Sequence, residues 1–479
     1  MNKLLGMSLM LLPLALSAET APEPAATPAV ERVIVRQQWP WSTDVKVEYS
    51  LSGVDAANPV DIKVRAFNGT VELPSGNLDA AITGDRYAVT SPVGSLTIDP
   101  VAAFGTEQVA LGNFKVQLTL TPSDSNMNDI IYKIVDLVSP HAVTDVVRKD
   151  LMNGKWGNYT TSFSDIDSTF TTSLDDVLIW LDVTNEVYKT DKIVFRRIPA
   201  AGKSFQFQKG IAAATNAYYG AGEGIKVSFT KDYYIGVFEL TQRQFRNVTT
   251  KFALSYFYQT NALYRWTRPA DQVRYSHPYQ DRPAATGSTL GAATYALKNA
   301  AALKSKAGYT VTLPTEAQWE YACRAGTDTF KYSGASGTLY WNDGFTPKVQ
   351  RAYNINGSGA VDPGRNCDLT KGSLTVGMLK PNAFGLYDML GNIYEWCLGY
   401  YISADKFWKC ACYAEANNFD PQGPTSEEAS ATNYRPQRGG DYGENPLEYG
   451  AMERDTEPYS YNTQCNGVRL CLLVDESVQ

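Results

Sequence analysis

The chain has 479 residues, of which 44% are hydrophobic and 19% charged, so it has the length and composition of two or three globular domains. Its formal net charge of -7, without a basic run, argues against a nucleic-acid-binding surface, and no nucleic-acid partner is expected. The two histidines, His141 and His277, are too few for metal sites built from several imidazoles, and neither lies in a catalytic-triad motif.

The N-terminus has the pattern of an export signal. Lys3 precedes an apolar run from Leu4 to Leu16, and this predicts a secretory signal peptide over residues 1–18. The alternative is an uncleaved membrane anchor, although the run is short for a membrane span. No later stretch is long and apolar enough to span a bilayer, so no membrane span is expected after signal removal. The mature protein is therefore expected to be secreted, periplasmic or at the cell surface.

Residues 33–138 have the pattern of a β-sandwich. A predicted linker rich in Ala, Pro and Glu, residues 19–32, precedes them. Short alternating apolar runs follow, namely Val45, Val47, Tyr49 and Leu51, then Ile62, Val64 and Ala66, then Phe114, Val116, Leu118 and Leu120. Gly, Asn, Asp and Pro separate these runs, which predicts an all-β, Ig-like sandwich. Residues 139–191 have no clear period and are predicted to connect the sandwich to a C-terminal domain over residues 192–475.

The C-terminal region contains helix signals. Thr315 and Gln318 form a Thr-x-x-Gln capping box, which predicts a helix from that point. Thr241 has the residue type of an N-cap before a helix over residues 242–248. An Ala-rich segment at residues 291–306 predicts a further helix.

The stretch from Pro381 to Cys397, P-N-A-F-G-L-Y-D-M-L-G-N-I-Y-E-W-C, has neither a helical nor a strand period. Gly385 and Gly391 indicate backbone conformations that other residues resist. Asp388 and Glu395 bring hard oxygen ligands to the same irregular segment. These features predict a structured loop with a site in it.

Four segments in this order resemble the formylglycine-generating enzyme family, also called the sulfatase-modifying factor family. They are Y-I-G-V-F-E-L-T at 234–241, L-P-T-E-A-Q-W-E-Y at 313–321, N-A-F-G-L-Y-D-M-L-G-N-I-Y-E-W at 382–396, and Arg438-Gly439-Gly440 with Gly467-Val468-Arg469. The resemblance covers residues 192–475. It implies an α+β fold related to C-type lectins, with little regular secondary structure.

The resemblance also implies two calcium sites. The ligands of one would be the side chains of Asp388 and Glu395 and the carbonyls of Gly391 and Ile393. The ligands of the other would be the side chains of Asn354 and Asp368 and the carbonyls of Ile355 and Thr370. Carboxylate, amide and backbone oxygens are the ligands that calcium prefers. The alternative is that Asp388 and Glu395 only cap turns.

The family's oxidase reaction, which converts a substrate cysteine to formylglycine, depends on two cysteines that hold copper(I). Thiolates are soft ligands and suit this ion. The pair follows the Arg-Gly-Gly motif, and the matching positions here are Glu444 and Tyr449. Asp441 stands where a serine commonly follows the motif. Because the chain departs from the family pattern at this site, neither copper nor the oxidase activity is expected.

All 7 cysteines lie in the C-terminal third, and the export signal predicts disulfides among them. The resemblance implies a pair between Cys323 and Cys471, although Cys471 lies one residue later than in the family. Cys410 and Cys412 form a Cys-x-Cys motif with two readings, a soft-metal site or a disulfide.

Two functions fit the sequence. The first is a calcium-stabilised binding or structural module that recognises an extracellular protein or glycan. Its contact surface is predicted after Gly440, at Asp441, Tyr442, Glu444, Asn445, Tyr449 and Arg454. The second is a family enzyme with altered chemistry, whose acid–base groups would come from Asp441, Glu444, Glu448 and Glu453.

Overall fold

The computed structural model describes residues 27–74, 78–110, 112–138, 142–156, 181–208, 224–249, 265–275, 309–326, 373, 375–378, 381–402, 410–413, 418–429, 433–441, 450–460 and 465–474. The predicted signal peptide, most of the predicted linker, the predicted helix at 291–306 and both histidines lie outside these residues. No helix in the described ranges is long and apolar enough to cross a membrane.

Two β-sheets form the N-terminal domain. The first has the order β1 (Ala29–Gln37), β2 (Val45–Ser52), β6 (Val93–Ile98) and β5 (Ile82–Gly84). The second has the order β4 (Val71–Glu72), β3 (Val60–Asn68) and β7 (Phe114–Pro122). A helix, α1 (Pro100–Phe104), follows β6, and its N-cap Asp99 accepts hydrogen bonds from two backbone N–H groups of the first turn.

The predicted alternation of apolar residues forms the core between these sheets. Along β2, every second side chain is buried, starting at Val45, and β3 has the same pattern from Val60. Buried residues of both sheets belong to one apolar cluster. The sandwich is therefore confirmed, although its first strand begins at Ala29, inside the segment predicted as linker.

A six-stranded sheet forms the centre of the C-terminal domain. Its order is β14 (Tyr309–Thr312), β19 (Cys471–Val474), β13 (Tyr233–Gly236), β10 (Lys192–Ile198), β8 (Ile130–Asp136) and β9 (Val143–Val147). All of the pairings in this sheet are antiparallel.

The predicted domain boundary at residue 138 therefore needs correction. β8 pairs with β10, and β9 pairs with β8, so residues 130–147 belong to the sheet of the C-terminal domain. Five consecutive residues of β8, from Ile131 to Val135, are buried, as in a central strand covered on both faces. A strand of this kind has no alternation that would reveal its partner, which lies more than fifty residues further along the chain.

The rest of the described C-terminal domain has short elements. Two smaller sheets contain β11 (Ser204–Phe207) with β12 (Ile225–Ser228), and β17 (Asp455–Pro458), β16 (Tyr434–Arg438), β15 (Tyr394–Trp396) and β18 (Asn466–Gly467) in that order. The helices are α2 (Arg148–Met152), α3 (Val187–Thr190), α4 (Gln242–Thr249) and α5 (Glu316–Arg324). The α+β class with few helices is confirmed.

Both predicted N-caps are present. The hydroxyl of Thr315 accepts a hydrogen bond from the N–H of Gln318, whose side chain in turn accepts from the N–H of Thr315. Thr241 and Gln244 make the same reciprocal pair at the start of α4. Because these contacts satisfy N–H groups that a helix leaves unpaired, they fix where each helix begins.

Replacement of Thr315 by Ala should lower the free energy of unfolding of the C-terminal domain by about 1 kcal/mol, because the cap hydrogen bond is lost. Urea unfolding followed by tryptophan fluorescence measures the change. Thr310→Ala is the matched control, since Thr310 is an exposed strand residue and should cost clearly less. Equal losses in the two variants would contradict the capping assignment.

Candidate functional site

The loop predicted to hold a site is fixed against the C-terminal end of α5. The side-chain amide of Asn382 donates to the carbonyls of Ala322 and Cys323, at 2.8 and 3.1 Å. Its oxygen accepts from the N–H groups of Phe384 and Leu386. One buried amide therefore satisfies both the helix end and the start of the loop.

The loop then turns through the left-handed backbone region. Gly385 and Gly391 have φ values of 76° and 86°, as the sequence predicted. Asp388 and Asn392 also have positive φ, at 54° and 67°, which is uncommon for residues with a side chain. The structure thus places two strained residues in the segment that carries the predicted carboxylates.

Asp388 is buried and only partly satisfied. One carboxylate oxygen, Oδ2, accepts a 2.6 Å hydrogen bond from the N–H of Gly377. The other, Oδ1, has no hydrogen-bond partner among the described residues. Burial raises the pKa of Asp388 to about 6, although the Gly377 N–H and the charges of Arg469 and Lys189 act in the opposite direction. A buried carboxylate oxygen without a hydrogen-bond donor is suited to bind a cation.

Glu395 is buried beside Asp388 and has a strong partner of its own. The guanidinium of Arg469 donates to both carboxylate oxygens at 2.7–3.0 Å, and the indole N–H of Trp319 donates to Oε2 at 2.6 Å. Arg469 and Trp319 are fully buried. Charge-assisted, bidentate bonds of this kind fix the orientation of Glu395 tightly.

A third carboxylate, Glu239, is buried close to Asp388 and Glu395, and sequence reasoning missed it. Its oxygens accept from the side-chain amide of Asn392 at 2.6 Å and from the N–H of Ile393 at 3.2 Å. Burial raises its pKa well above the ordinary value, and the charges of Asp388 and Glu395 raise it further. Glu239 lies in the Y-I-G-V-F-E-L-T segment, just after β13. A charged residue among these apolar neighbours is the sequence feature that could have indicated its role.

The three carboxylates and two nearby cations, Arg469 and Lys189, define what we call the Asp388 cluster. If all five groups are ionised, the cluster carries one excess negative charge. Burial raises the pKa of both Asp388 and Glu239 and so disfavours this fully ionised state. A hard cation at the unpaired oxygen of Asp388 would favour it. Glu395 has fewer lone pairs free to bind a cation than the sequence suggested, because its oxygens already accept hydrogen bonds from Arg469 and Trp319.

The predicted calcium ligands are only partly visible. Asp388, Gly391, Ile393 and Glu395 lie in one continuous turn-and-strand segment, as expected from their spacing. The second set, Asn354, Ile355, Asp368 and Thr370, lies outside the described residues. No group of three or more His, Cys, Asp or Glu side chains forms a metal site in the described ranges. The predicted first site combines two carboxylates, Asp388 and Glu395, with two backbone carbonyls.

A second buried ionic cluster lies under the Arg-Gly-Gly motif, and we call it the Arg438 cluster. Arg438 donates to Glu320 at 2.7 Å and to Glu316 at 3.4 Å. Arg454 forms a bidentate pair with Glu316 at 2.6 and 2.8 Å. Arg324 bonds Glu320 from one turn further along α5. The two carboxylates are fully buried, and the three guanidinium groups more than neutralise them, which leaves one excess positive charge.

This arrangement corrects the predicted contact surface. The side chain of Arg454 is only 8% exposed and points into the Arg438 cluster. Asp441 is 6% exposed. Both residues were predicted to contact a partner, but each is buried. Tyr442, Glu444, Asn445 and Tyr449 lie outside the described residues, and so does Glu448.

No disulfide joins the cysteines of the described ranges. Cys323 and Cys471 are both fully buried in the same apolar cluster, and burial raises the pKa of each thiol. Their predicted pairing is not present in the structure. Cys410 and Cys412, in contrast, lie next to each other, with 2.8 Å between the sulfur atoms.

These features agree with comparisons to known proteins. The sequence model of the sulfatase-modifying factor enzyme 1-like domain matches residues 204–473. The chain belongs to this family. It is 38% identical over 122 residues to the formylglycine-generating enzyme of Thermomonospora curvata, a match that covers 25% of this chain and 36% of that protein.

A similar match is found with the formylglycine-generating enzyme of Mus musculus, at 32% identity over 114 residues, or 24% of this chain and 27% of that protein. The chain thus spans about a third of the length of these curated relatives. Among solved structures, Treponema denticola variable protein 1 is 20% identical, with a TM-score of 0.41 over 58% of this chain and 95% of that one.

Removal of the positive charge of Arg469 should destabilise the C-terminal domain. We expect Arg469→Met to lower the free energy of unfolding of the C-terminal domain by about 3–5 kcal/mol, because Glu395 is left buried without its partner. The double variant with Glu395→Gln should recover part of this loss. Urea unfolding at fixed calcium concentration measures both.

The matched control is Arg243→Met. Arg243 and its partner Asp191 are each about one-third exposed, so this variant should cost less than about 1 kcal/mol. A loss in Arg469→Met no larger than the loss in Arg243→Met would refute the role of the buried pair.

Proposed function

We propose that this protein is a non-oxidase member of its family, a calcium-stabilised binding or structural module. The observation that carries the proposal is the residue pair at the positions where the family resemblance places the copper ligands. Glu444 and Tyr449 stand there instead of cysteines. Neither residue offers the soft sulfur that copper(I) requires.

The other thiols of the domain support this proposal. Cys323, Cys397 and Cys471 are fully buried, and burial raises the pKa of each one. Because the thiolate is the form that binds metal, these environments disfavour a replacement copper site. These three thiols are therefore poorly suited to the family's reaction.

Calcium is proposed as a part of the scaffold. At the Asp388 cluster it would be held by the carboxylates of Asp388 and Glu395 and by the carbonyls of Gly391 and Ile393. When bound, calcium supplies positive charge to buried oxygens. The unpaired Oδ1 of Asp388 supports this site. Asn354, Ile355, Asp368 and Thr370 are proposed for a second ion on the family resemblance alone.

The proposed partner is an extracellular protein or glycan, and the proposed location is outside the cytoplasm. The contact surface is assigned to Tyr442, Glu444, Asn445 and Tyr449, since Asp441 is buried and the side chain of Arg454 is only 8% exposed. Tyr and Asn side chains adapt well to varied ligands. The N-terminal sandwich is proposed to act as a spacer that presents this surface.

One observation favours an altered enzyme as the second candidate. Burial raises the pKa of Asp455, and the charge of Asp441 raises it further, so two carboxylates interact beside the motif. A carboxyl group with a raised pKa can act as a general acid. On the opposite strand lies Gln437, whose buried amide has no hydrogen-bond partner among the described residues.

The oxidase activity has a direct test. Full-length protein loaded anaerobically with copper(I) should retain no tightly bound copper at the loop, and it should form no aldehyde on a Cys-x-Pro-x-Arg peptide, the family's substrate motif. Elemental analysis and aldehyde labelling measure the two results. A double variant, Glu444→Cys with Tyr449→Cys, should gain tight copper if the scaffold is intact. Aldehyde formation by the unchanged protein would overturn the proposal.

Calcium removal should lower the melting temperature of the C-terminal domain, because the buried carboxylates lose their counter-ion. Scanning calorimetry with and without a calcium chelator measures this shift. Asp388→Ala should reduce the chelator effect by at least half. Asp124→Ala, at an exposed carboxylate, is the control and should leave the effect unchanged. An unchanged melting temperature after chelation would remove calcium from the proposal.

A further inference from the structure

The pair Cys410 and Cys412 lies in a tight turn that brings the two thiols together. The N–H of Tyr413 donates to the carbonyl of Cys410 at 3.1 Å, and residues Ala411–Tyr413 form a turn of 3-10 helix. The two sulfur atoms are 2.8 Å apart. A covalent S–S bond measures about 2.0 Å, so the reduced thiols lie close to bonding distance.

Glu428 holds this turn from a neighbouring segment. One carboxylate oxygen accepts from the thiol of Cys410 at 3.2 Å and from the N–H of Ala411 at 2.7 Å. The other oxygen accepts from the N–H and the hydroxyl of Thr425, at 2.8 and 3.0 Å. A carboxylate engaged from both sides keeps the turn, and with it the two thiols, in one arrangement.

The two thiols differ in exposure. Cys410 is 4% exposed, whereas Cys412 is partly accessible to solvent. Cys323, Cys397 and Cys471 are fully buried. A reagent can therefore reach Cys412 first, and Cys410 lies behind it as a second thiol.

We propose that Cys410 and Cys412 form a reversible thiol–disulfide exchange site whose substrate class is an accessible disulfide. The thiolate of Cys412 attacks one sulfur of the substrate, forms a mixed disulfide and releases the first substrate thiolate. Cys410 then attacks the sulfur of Cys412, closes the Cys410–Cys412 disulfide and releases the second. The two cysteines lose two electrons and two protons, and the substrate becomes two thiols. This site is independent of copper and calcium.

The charges around the pair set its rate. Burial raises the pKa of both thiols, and Glu428 raises both further, while Glu316 also acts on Cys412. Because the thiolate is the attacking species, exchange should be slow at neutral pH and should accelerate as the pH rises. Glu428 is therefore a positioning residue that also restrains the thiols.

The test uses the full chain in glutathione buffers that range from fully reduced to fully oxidised. Differential alkylation and mass spectrometry of the peptide that contains residues 410–412 measure its oxidation state. We expect a reversible transition in which the peptide loses two hydrogen atoms. Cys465→Ser should leave the transition unchanged, because Cys465 is outside the pair.

The single variants separate the two roles. In Cys410→Ser, the exposed Cys412 should accumulate a mixed disulfide with glutathione. In Cys412→Ser, modification of Cys410 should be at least tenfold slower, because that thiol is buried. Free thiols at both positions in fully oxidised glutathione, or a disulfide there that reduced glutathione never opens, would overturn the proposal.

Glu428→Gln provides a second readout. This change keeps an oxygen acceptor for Ala411 but removes the negative charge. We expect the pH profile of Cys412 alkylation to shift to lower pH, since the carboxylate no longer raises the thiol pKa values. A purely structural role for Glu428 would leave that profile in place, and an unshifted profile would refute the assigned role.

Discussion

The buried guanidinium of Arg469 is the constraint on which the C-terminal domain depends. It has two acceptors in Glu395, and it also donates to the carbonyls of Gly236, Val237 and Tyr387 at 2.8–3.0 Å. A fully buried cation is tolerated only when charge and hydrogen bonds are both satisfied. The end of β13, the site loop and β15 must therefore meet at one point.

The recognisable segments of the sequence encode these buried charges. Each of the quoted segments supplies at least one buried charged residue, and the set is Glu239, Glu316, Glu320, Asp388, Glu395, Arg438 and Arg469. They belong to the Asp388 and Arg438 clusters. The segments by which this chain resembles its family therefore supply its buried charged residues.

Sequence reasoning succeeded where the signal is local. Thr315 and Thr241 cap their helices through contacts three residues away, and the alternation along β2 follows from which face is buried. It failed where the partner is distant in sequence. Nothing in the residues near Arg454 reveals Glu316, which lies 138 positions earlier. Glu239 was overlooked for the same reason, since its partner Asn392 is 153 positions away.

The pairing of β8 with β10 determines how the two domains can be separated. A fragment that begins at residue 192 contains every family segment, but it lacks both strands of residues 130–147. β10 would then become an open edge, with Val194 and Phe195 nearby to promote association of one fragment with another. The chain leaves the sandwich through β8, which is a strand of the sheet of the C-terminal domain. Residues 130–147 directly follow the sandwich in the chain, but they are part of the sheet of the C-terminal domain.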